Sequence, residues 1–268
     1  MNAPLSPTDL EPFVLAEHAG GVATLTLNRP TQFNALSEEM MAALGAALDA
    51  VAQDASVRVV VIAGAGKAFC AGHDLKQMKA KAALDYYRAL FADCSRLMQK
   101  IQALPQPVIA RVHGVATAAG CQLVASCDLA VAADAARFAV SGINVGLFCS
   151  TPGVALSRNV PRKQAFEMLV TGEFVDAREA LARGLVNRVV AAGELDAEVA
   201  RLAQAIIAKP AKAIALGKAL FYKQIEMGGA AAYQLAGETM ACNMIDEVAQ
   251  EGVQAFMDKR RPSWAPPS

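Results

Sequence analysis

The 268-residue sequence is poor in the residues that mark several classes of protein. Aromatic residues make up 6% of it, tryptophan occurs once and histidine three times. Lysine plus arginine equals aspartate plus glutamate at 25 residues each, so no net charge draws the chain to nucleic acid or to an anionic membrane. No uninterrupted apolar run reaches the roughly 18 residues that a spanning helix needs. We therefore expect no nucleic-acid partner and no membrane span.

Two further absences concern metals and targeting. The six cysteines form no CxxC pair and have no histidines at metal-ligand spacing, which argues against a metal site. Several of them lie in apolar runs, where a reduced thiol packs as a small hydrophobic group. The N-terminus lacks the positive start and apolar stretch of a signal peptide, and it lacks the arginines of a transit peptide. The sequence thus predicts a flexible tail over residues 1–11 and a cytoplasmic protein.

The chain does contain ample material for a core, since 54% of its residues are hydrophobic. Alternating apolar and polar residues on both sides of Gly20-Gly21 predict a β-hairpin. Ser37 precedes a helical pattern, and residues 57–63 form an apolar run typical of a buried strand. Strand, helix and strand in this order favour parallel pairing with right-handed crossovers. Residues 138–153, rich in glycine, predict loop and bends, and the pattern from Leu195 onward is helical.

The most informative stretch runs from Val108 to Leu123. It begins as an apolar run, breaks at Gly114 and resumes as small residues that enter an apolar helix. The first amides of a helix have no partner within it, and small residues leave them uncovered for an anionic oxygen. The stretch from Lys67 to Leu75 repeats this arrangement after another strand. Two such loops on neighbouring strands predict two convergent N–H groups, an oxyanion hole, although close strand–helix packing selects the same small residues.

Eight short segments occur in an order typical of one known family. They are Asn28-Arg29-Pro30, Asn34-Ala35-Leu36, Phe69 to Leu75, Pro107 to Leu123, Cys127 to Ala130, Leu169 to Glu173, Ala177 to Ala180 and Gly184 to Val186. Through them the sequence resembles the crotonase superfamily, also called the enoyl-CoA hydratase/isomerase family, over most of its length. The resemblance implies an α/β fold, a spiral of ββα units over residues 12–194. It also implies a helical region over residues 195–268 that forms a trimer or a dimer of trimers.

The resemblance implies an acyl-coenzyme A substrate, with no permanently bound cofactor, whose thioester carbonyl is held by the backbone amides of Ala71 and Ala119. The family commonly has glycine at position 119, so an alanine with positive φ there would cost about 1 kcal/mol or more. Contacts to coenzyme A are expected along two segments and at one C-terminal lysine. By the same resemblance these residues are Asn34, Ala35, Leu36, Ala71, Gly72, His73, Asp74 and Lys259.

Two positions depart from the hydratases of the family. Those enzymes hold a water between two glutamates, and a gapless alignment places Gln122 and Gly142 at these positions. Glutamine does not exchange a proton near neutral pH and glycine has no side chain, so the two-glutamate hydration route is missing. The isomerases usually retain the second glutamate, so their route is missing as well. His73 is a candidate acid–base group, although a packed or surface histidine of the loop is the simpler interpretation.

Three hypotheses about function remain open at this point. The first is an acyl-CoA enzyme of lyase or isomerase type that stabilises an enolate without the two glutamates. The second is a non-catalytic acyl-CoA-binding or regulatory homologue, and the third is a packing scaffold that does not bind coenzyme A. Cys149 and Ser150 lie where some relatives place catalytic groups, but the sequence shows no base beside them that would activate a nucleophile.

Overall fold

The computed structural model describes residues 11–265, so the predicted tail over residues 1–11 lies outside the described residues except for Glu11. Within the described range the chain forms ten strands, which are arranged in two sheets. The strands are β1 (Val14–Ala19), β2 (Val22–Leu27), β3 (Val59–Gly64), β4 (Ala68–Cys70), β5 (Val108–Val112), β6 (Val115–Thr117), β7 (Leu129–Ala133), β8 (Arg137–Ala139), β9 (Val175–Asp176) and β10 (Arg188–Val190).

From β3 to β8, successive strands alternate between the two sheets. The larger sheet has the order β1-β2-β3-β5-β7-β10, with β1 antiparallel to β2 and the other neighbours parallel. The smaller sheet has the order β4-β6-β8-β9 and is parallel except between β8 and β9. The consecutive pairs β3–β4, β5–β6 and β7–β8 therefore each give one strand to each sheet before the chain enters a helix or a loop. This is the α/β spiral of ββα units that the sequence predicts, and the fold-class prediction is confirmed.

Eleven α-helices lie within the described residues. They are α1 (Glu38–Gln53), α2 (Leu75–Ala80), α3 (Leu84–Ala103), α4 (Ala119–Ser126), α5 (Ser150–Leu156), α6 (Arg162–Thr171), α7 (Ala177–Ala182), α8 (Leu195–Ile207), α9 (Ala211–Gln224), α10 (Gly229–Met244) and α11 (Glu247–Met257). The predicted cap of α1 is present, since the Ser37 hydroxyl accepts the Met40 N–H at 3.1 Å. None of the described helices is both long and apolar enough to cross a membrane.

The core has two parts, one on each face of the larger sheet. The main part lies between the two sheets and their helices and includes the fully buried rings of Phe69 and Phe138. On the opposite face, Val61 and Ile109 pack against Val199 of α8. Both faces of the central strands are therefore covered, which explains why the run over residues 57–63 is almost wholly apolar.

Two local predictions need correction. Residues 138–153, expected to be loop and bends, contain the end of β8, a 3-10 helix over Ser141–Val145 and the start of α5. The strand β6 also lies between the turn at Gly114 and α4, where the turn was expected to lead directly into the helix. Strands of three residues are too short to show the alternation that marks a strand in sequence. They form because β4 and β8 pair with β6 on either side.

The C-terminal region contains helices α8 to α11 and, within the described residues, no strand. Helix α9 contacts both α3 and α10, and α11 contacts α10. Large apolar side chains project from α10 and from the segments beside it: Tyr233 is 84% exposed, Met240 71% and Ile245 82%. Phe256 of α11 is 85% exposed. A single chain thus leaves an extended apolar surface in contact with water.

Candidate active site

The two loops predicted to form an oxyanion hole lie side by side. One follows β4 and the other follows β6, and these strands are parallel neighbours, so their carboxyl ends meet at one edge of the smaller sheet. The contact is close at Gly72, where φ is +92°. A Cβ atom on Gly72 would lie 2.9 Å from the Ala118 Cβ and 3.2 Å from the Ala119 nitrogen. Only glycine fits this position without displacing the second loop.

The Ala119 amide is held by a strained residue before it. Ala119 is the first residue of α4, and among the hydrogen bonds of the described residues none takes its N–H group. Ala118 has φ +50° and ψ −121°, so the alanine with positive φ in this loop is Ala118, and Ala119 is not strained in this way. The Ala118 N–H donates to the Ala139 carbonyl at 2.9 Å, and the hydroxyls of Thr117 and Ser141 lie 2.8 Å apart. These bonds to β8 and the residues after it hold the loop in place.

The Ala71 amide differs from the Ala119 amide because it already has a partner. Its N–H donates to the Phe33 carbonyl at 3.0 Å, and the Leu36 N–H donates to the Gly72 carbonyl at 2.7 Å. Phe33 has φ +51° and is 54% exposed. The structure thus places the two predicted donors in adjoining loops, with the Ala119 N–H unpaired and the Ala71 N–H bound to the segment over residues 33–36.

Neither position of the hydratase glutamates carries a carboxylate. Gln122 is buried on α4, with its Oε1 atom 4.0 Å from the Cys94 sulfur. At Gly142 a Cβ atom would lie 2.5 Å from the Leu147 carbonyl oxygen and 2.7 Å from the Cys149 sulfur. The backbone at this position is therefore packed against its neighbours and has no room for a glutamate side chain.

His73 and Asp74 have different roles in the first loop. The His73 Nδ1 atom lies 3.3 Å from the Leu36 carbonyl, and its Nε2 atom is buried without a partner among the described residues. The ring meets the edge of Phe91 at 5.6 Å between centroids. Burial lowers the pKa of His73, which keeps the imidazole neutral near pH 7. Asp74 caps α2, accepting the Lys76 N–H at 2.9 Å, which is a structural role.

The residues outside the first loop that are predicted to contact coenzyme A fall into two groups. Asn34 and Leu36 are fully buried, and the Asn34 amide donates to two backbone carbonyls at 2.8 Å. Their side chains are therefore inside the protein, and of this segment only Ala35 is partly exposed. Lys259 is exposed, has φ +54° and makes no salt bridge within the described residues. Its neighbour Arg260 is bound to Glu251 at 2.8 Å.

Cys149 is not placed as a nucleophile. Its sulfur accepts the Gly142 N–H at 3.3 Å, and burial raises the pKa of the thiol, so it stays protonated near neutral pH. All six cysteines are free, and five of them are buried, with Cys242 exposed. The described residues contain no group of three or more His, Cys, Asp or Glu side chains that would hold a metal ion.

A cavity of about 470 Å³ adjoins Gln122 and was not anticipated from the sequence. It is an open cavity bordered by α3, α4, α5 and α9, and Ser126, Arg158, Tyr222 and Glu226 contribute to its lining. The one local signal is the polar pair Gln122 and Ser126, which recurs at i and i+4 in an otherwise apolar helix. The other walls come from segments far away in sequence, which no local pattern connects.

Known proteins resemble this chain in sequence and in fold over nearly its whole length. The sequence profile of the family described as enoyl-CoA hydratase/isomerase matches residues 17–267. A Xenopus laevis protein named enoyl-CoA hydratase domain-containing protein 3, mitochondrial, is 47% identical over 94% of this chain and 86% of its own length. The crystal structure of an enoyl-CoA hydratase from Mycobacterium smegmatis is 66% identical, with TM-score 0.93 over 95% of this chain and 99% of that one. Human enoyl coenzyme A hydratase domain-containing protein 3 is 45% identical, with TM-score 0.91 over 95% of this chain and 100% of that one.

Proposed function

Because the chain belongs to the enoyl-CoA hydratase/isomerase family, we propose that it binds an acyl-coenzyme A thioester and stabilises the enolate oxygen of that thioester with backbone N–H groups. The observation that carries the proposal is the contact between the loops at Gly72 and Ala118, beside the unpaired N–H of Ala119. Fixed amide donors in a site shielded from water stabilise a developing oxyanion, and one such donor contributes about 3–4 kcal/mol to the transition state.

The second donor of the proposed hole is the Ala71 N–H, which the Phe33 carbonyl occupies in the free protein. A thioester oxygen bound by both amides shares or replaces this carbonyl as the acceptor. The segment at residues 33–36 then adjusts on binding, and it lies where the family resemblance places the path of coenzyme A. Lys259 is the proposed contact to the coenzyme A phosphates, since its ammonium group is exposed and makes no salt bridge within the described residues.

The proposed chemistry does not use the two-glutamate hydratase mechanism. Gln122 supplies an amide, which binds a water or a substrate oxygen but does not exchange a proton near neutral pH. Gly142 is packed against Leu147 and Cys149, which supports a site with no second carboxylate there. His73 is the candidate proton acceptor within the loop, because its buried imidazole is neutral and its Nε2 atom has no partner in the described residues.

A non-catalytic acyl-CoA binder is the second candidate. The observation that favours it is the loss of both glutamate positions while the amide loops are retained. The two candidates differ in whether they convert the thioester to a product. The test measures the conversion of a panel of enoyl, dienoyl, β-keto and aryl thioesters by the change in their ultraviolet absorbance. Turnover of any member supports an enzyme of lyase or isomerase type. Tight binding of the panel without turnover supports the binder.

Binding itself is tested by calorimetry with acetoacetyl-CoA. We expect saturable heat for the wild-type protein and at least ten-fold weaker binding for Gly72→Ala, whose new Cβ would press on Ala118 and the Ala119 nitrogen. Gly20→Ala is the matched control, because Gly20 also has positive φ, +57°, but a Cβ there would have nothing within 4 Å. Absence of heat up to millimolar acetoacetyl-CoA would contradict both acyl-CoA candidates.

Two further parts of the proposal concern assembly and location. The apolar surface on α10 and α11 supports self-association, with a trimer or a dimer of trimers as the expected state. A cytoplasmic location stays a prediction from the N-terminal sequence. The name of the Xenopus laevis relative assigns that protein to mitochondria.

A further inference from the structure

The cavity next to Gln122 runs along one side of α4. Ala119, Gln122 and Ser126 lie within about 60° of one another around the helix axis, since each residue turns the helix by about 100°. At about 1.5 Å rise per residue, Gln122 is about 4.5 Å along the axis from the Ala119 amide and Ser126 about 6 Å further. Gln122 and Ser126 both line the cavity. An acyl group that is held by its thioester at the Ala119 N–H and runs along this side of the helix would reach this space with its far carbons.

The lining of the cavity combines apolar side chains with polar groups, so a plain alkyl chain would leave part of the wall without hydrogen-bond partners. Eleven of its seventeen lining residues are polar or charged, including Gln122, Ser126 and Asn159. The Asn159 amide donates both of its hydrogens, to the Ala125 and Ala155 carbonyls at 2.8 Å, so its oxygen remains as an acceptor. An alkyl chain would displace water from such groups and leave their hydrogen bonds unreplaced, which costs free energy.

The charges of the lining disfavour an anionic tail as well. Asp128 and Glu226 contribute carboxylates to it, against one guanidinium, that of Arg158. Arg158 is already bound to Glu226, with Nε 2.8 Å from Oε1. Asp128 is bound to the Lys218 ammonium at 2.6 Å. Each cation at the wall therefore already has its carboxylate partner, and a carboxylate at the end of an acyl chain would have to compete with Glu226 for Arg158. Carboxylate and amide oxygens instead accept hydrogen bonds from a neutral donor.

We infer that the acyl group this site accepts carries a hydroxyl several carbons from the thioester, which donates to the oxygen-rich wall of the cavity beside Gln122 and Ser126. This inference rests on the proposed function, because it needs the thioester carbonyl at the Ala119 amide. It adds the chemical class of the acyl tail: neutral, hydroxylated and of medium length.

The test compares the affinities of three thioesters that have the same chain length. We expect 6-hydroxyhexanoyl-CoA to bind about five-fold more tightly than hexanoyl-CoA, the effect of about one added hydrogen bond. Adipoyl-CoA, with its terminal carboxylate, is expected to bind most weakly. If hexanoyl-CoA or adipoyl-CoA binds as tightly as the hydroxylated thioester, the inference is wrong. Acetoacetyl-CoA is too short to reach Ser126, so it tests the proposed function without the inference about the tail. If it binds, the proposed function stands whatever the other thioesters do. If it does not bind, both the proposed function and the inference are wrong.

A substitution in the wall that keeps the side-chain shape but removes a negative charge provides a second measurement. Glu226→Gln removes one of the two lining carboxylates, so we expect adipoyl-CoA to bind at least five-fold more tightly than to the wild-type protein, with 6-hydroxyhexanoyl-CoA changed less than two-fold. Glu17→Gln, on the exposed edge strand β1, is the control and should change neither affinity. An unchanged affinity of Glu226→Gln for adipoyl-CoA would show that the cavity does not hold the tail.

Discussion

The space around Gly142 decides whether the proposed site can carry an acid at the position of the second hydratase glutamate. A Cβ atom on Gly142 would lie 2.5 Å from the Leu147 carbonyl oxygen and 2.7 Å from the Cys149 sulfur, closer than side-chain atoms pack. Restoring the glutamate by a point substitution therefore requires the loop to move. The contacts with Leu147 and Cys149 are therefore sufficient to explain the glycine at this position, without reference to a substrate.

Gly142→Glu is expected to destabilise the protein by about 1–3 kcal/mol, the usual effect of forcing atoms into a packed region. We also expect it to leave crotonyl-CoA hydration absent, alone or combined with Gln122→Glu. Urea unfolding and the ultraviolet assay measure the two effects. Gly193→Glu is the matched control, since a Cβ at Gly193 has nothing within 4 Å. Efficient hydration by the double variant would mean that the loop rearranges readily.

Ala118 stores strain next to the proposed oxyanion donor, since an alanine at φ +50° is unfavourable. Ala118→Gly removes that strain, and we expect the free energy of unfolding to rise by up to about 1 kcal/mol after the entropy cost of glycine is counted. Ala116→Gly, in strand β6 and fully buried, should lower it instead. A loss of stability in Ala118→Gly would indicate that packing of the Ala118 methyl outweighs the strain.

The partly buried His73 is expected to make the free energy of unfolding decrease as the pH falls. Burial lowers its pKa from the ordinary 6.5, so the unfolded chain takes up a proton before the folded protein does as the pH falls. The free energy of unfolding should therefore decrease from pH 7 to pH 5, and less steeply in His73→Asn, which keeps a donor for the Leu36 carbonyl. Part of the slope should remain, because burial also lowers the pKa of His113. Urea titrations at each pH measure the slope, with the half-exposed His18→Asn as control; an unchanged slope in His73→Asn would contradict the assignment.

At the scale of elements, helix α9 is tied to the sheet by a buried ion pair. The Lys218 ammonium lies 2.6 Å from an Asp128 carboxylate oxygen and 2.9 Å from the carbonyls of Ile101 and Gln106. The other Asp128 oxygen accepts the Tyr222 hydroxyl at 2.7 Å. Because α9 forms one wall of the cavity beside Gln122, this cluster fixes the distance between that wall and α4.

Lys218→Met should destabilise the protein by about 3–5 kcal/mol, because it leaves the Asp128 carboxylate buried without its cation. Lys212→Met is a matched control on the same helix: it removes an exposed lysine that pairs with Asp246 at the surface and should move the urea midpoint much less. Equal midpoints for the two variants would contradict a structural role for the buried pair. Adding Asp128→Asn to Lys218→Met should recover part of the loss, since the unpaired charge is then removed.

At the scale of the whole molecule, the apolar surface of α10 and α11 predicts an oligomer. Side chains such as Tyr233, Ile245 and Phe256 are more than 80% exposed in the single chain, which is costly unless another subunit covers them. A ring of identical chains covers such a surface with a different patch of the next subunit. The helical pattern from Leu195 onward predicts an apolar helical surface that must pack on something, and in the single chain this surface is exposed to solvent.

Ile245→Lys is expected to shift the protein from a trimer or hexamer towards a monomer, because a buried ammonium without a partner is unfavourable in a subunit contact. Sedimentation velocity measures the change. Leu15→Lys places a lysine on the edge strand β1, where Leu15 is 37% exposed, and should leave the assembly intact. A wild-type protein that sediments as a monomer would contradict the oligomer outright.

The sequence by itself determined the parts of this protein that depend on neighbours along the chain. The hairpin at Gly20-Gly21, the helix capped by Ser37 and the positions of the two glycine-containing loops follow from local conformational preference and from hydrophobic periodicity. The tertiary structure alone decided that the Ala71 N–H meets the Phe33 carbonyl, that the strain lies at Ala118, and that α9 borders a polar cavity beside Gln122. Each of these depends on atoms far apart in sequence, whose meeting is set by packing across the two sheets and leaves no local pattern.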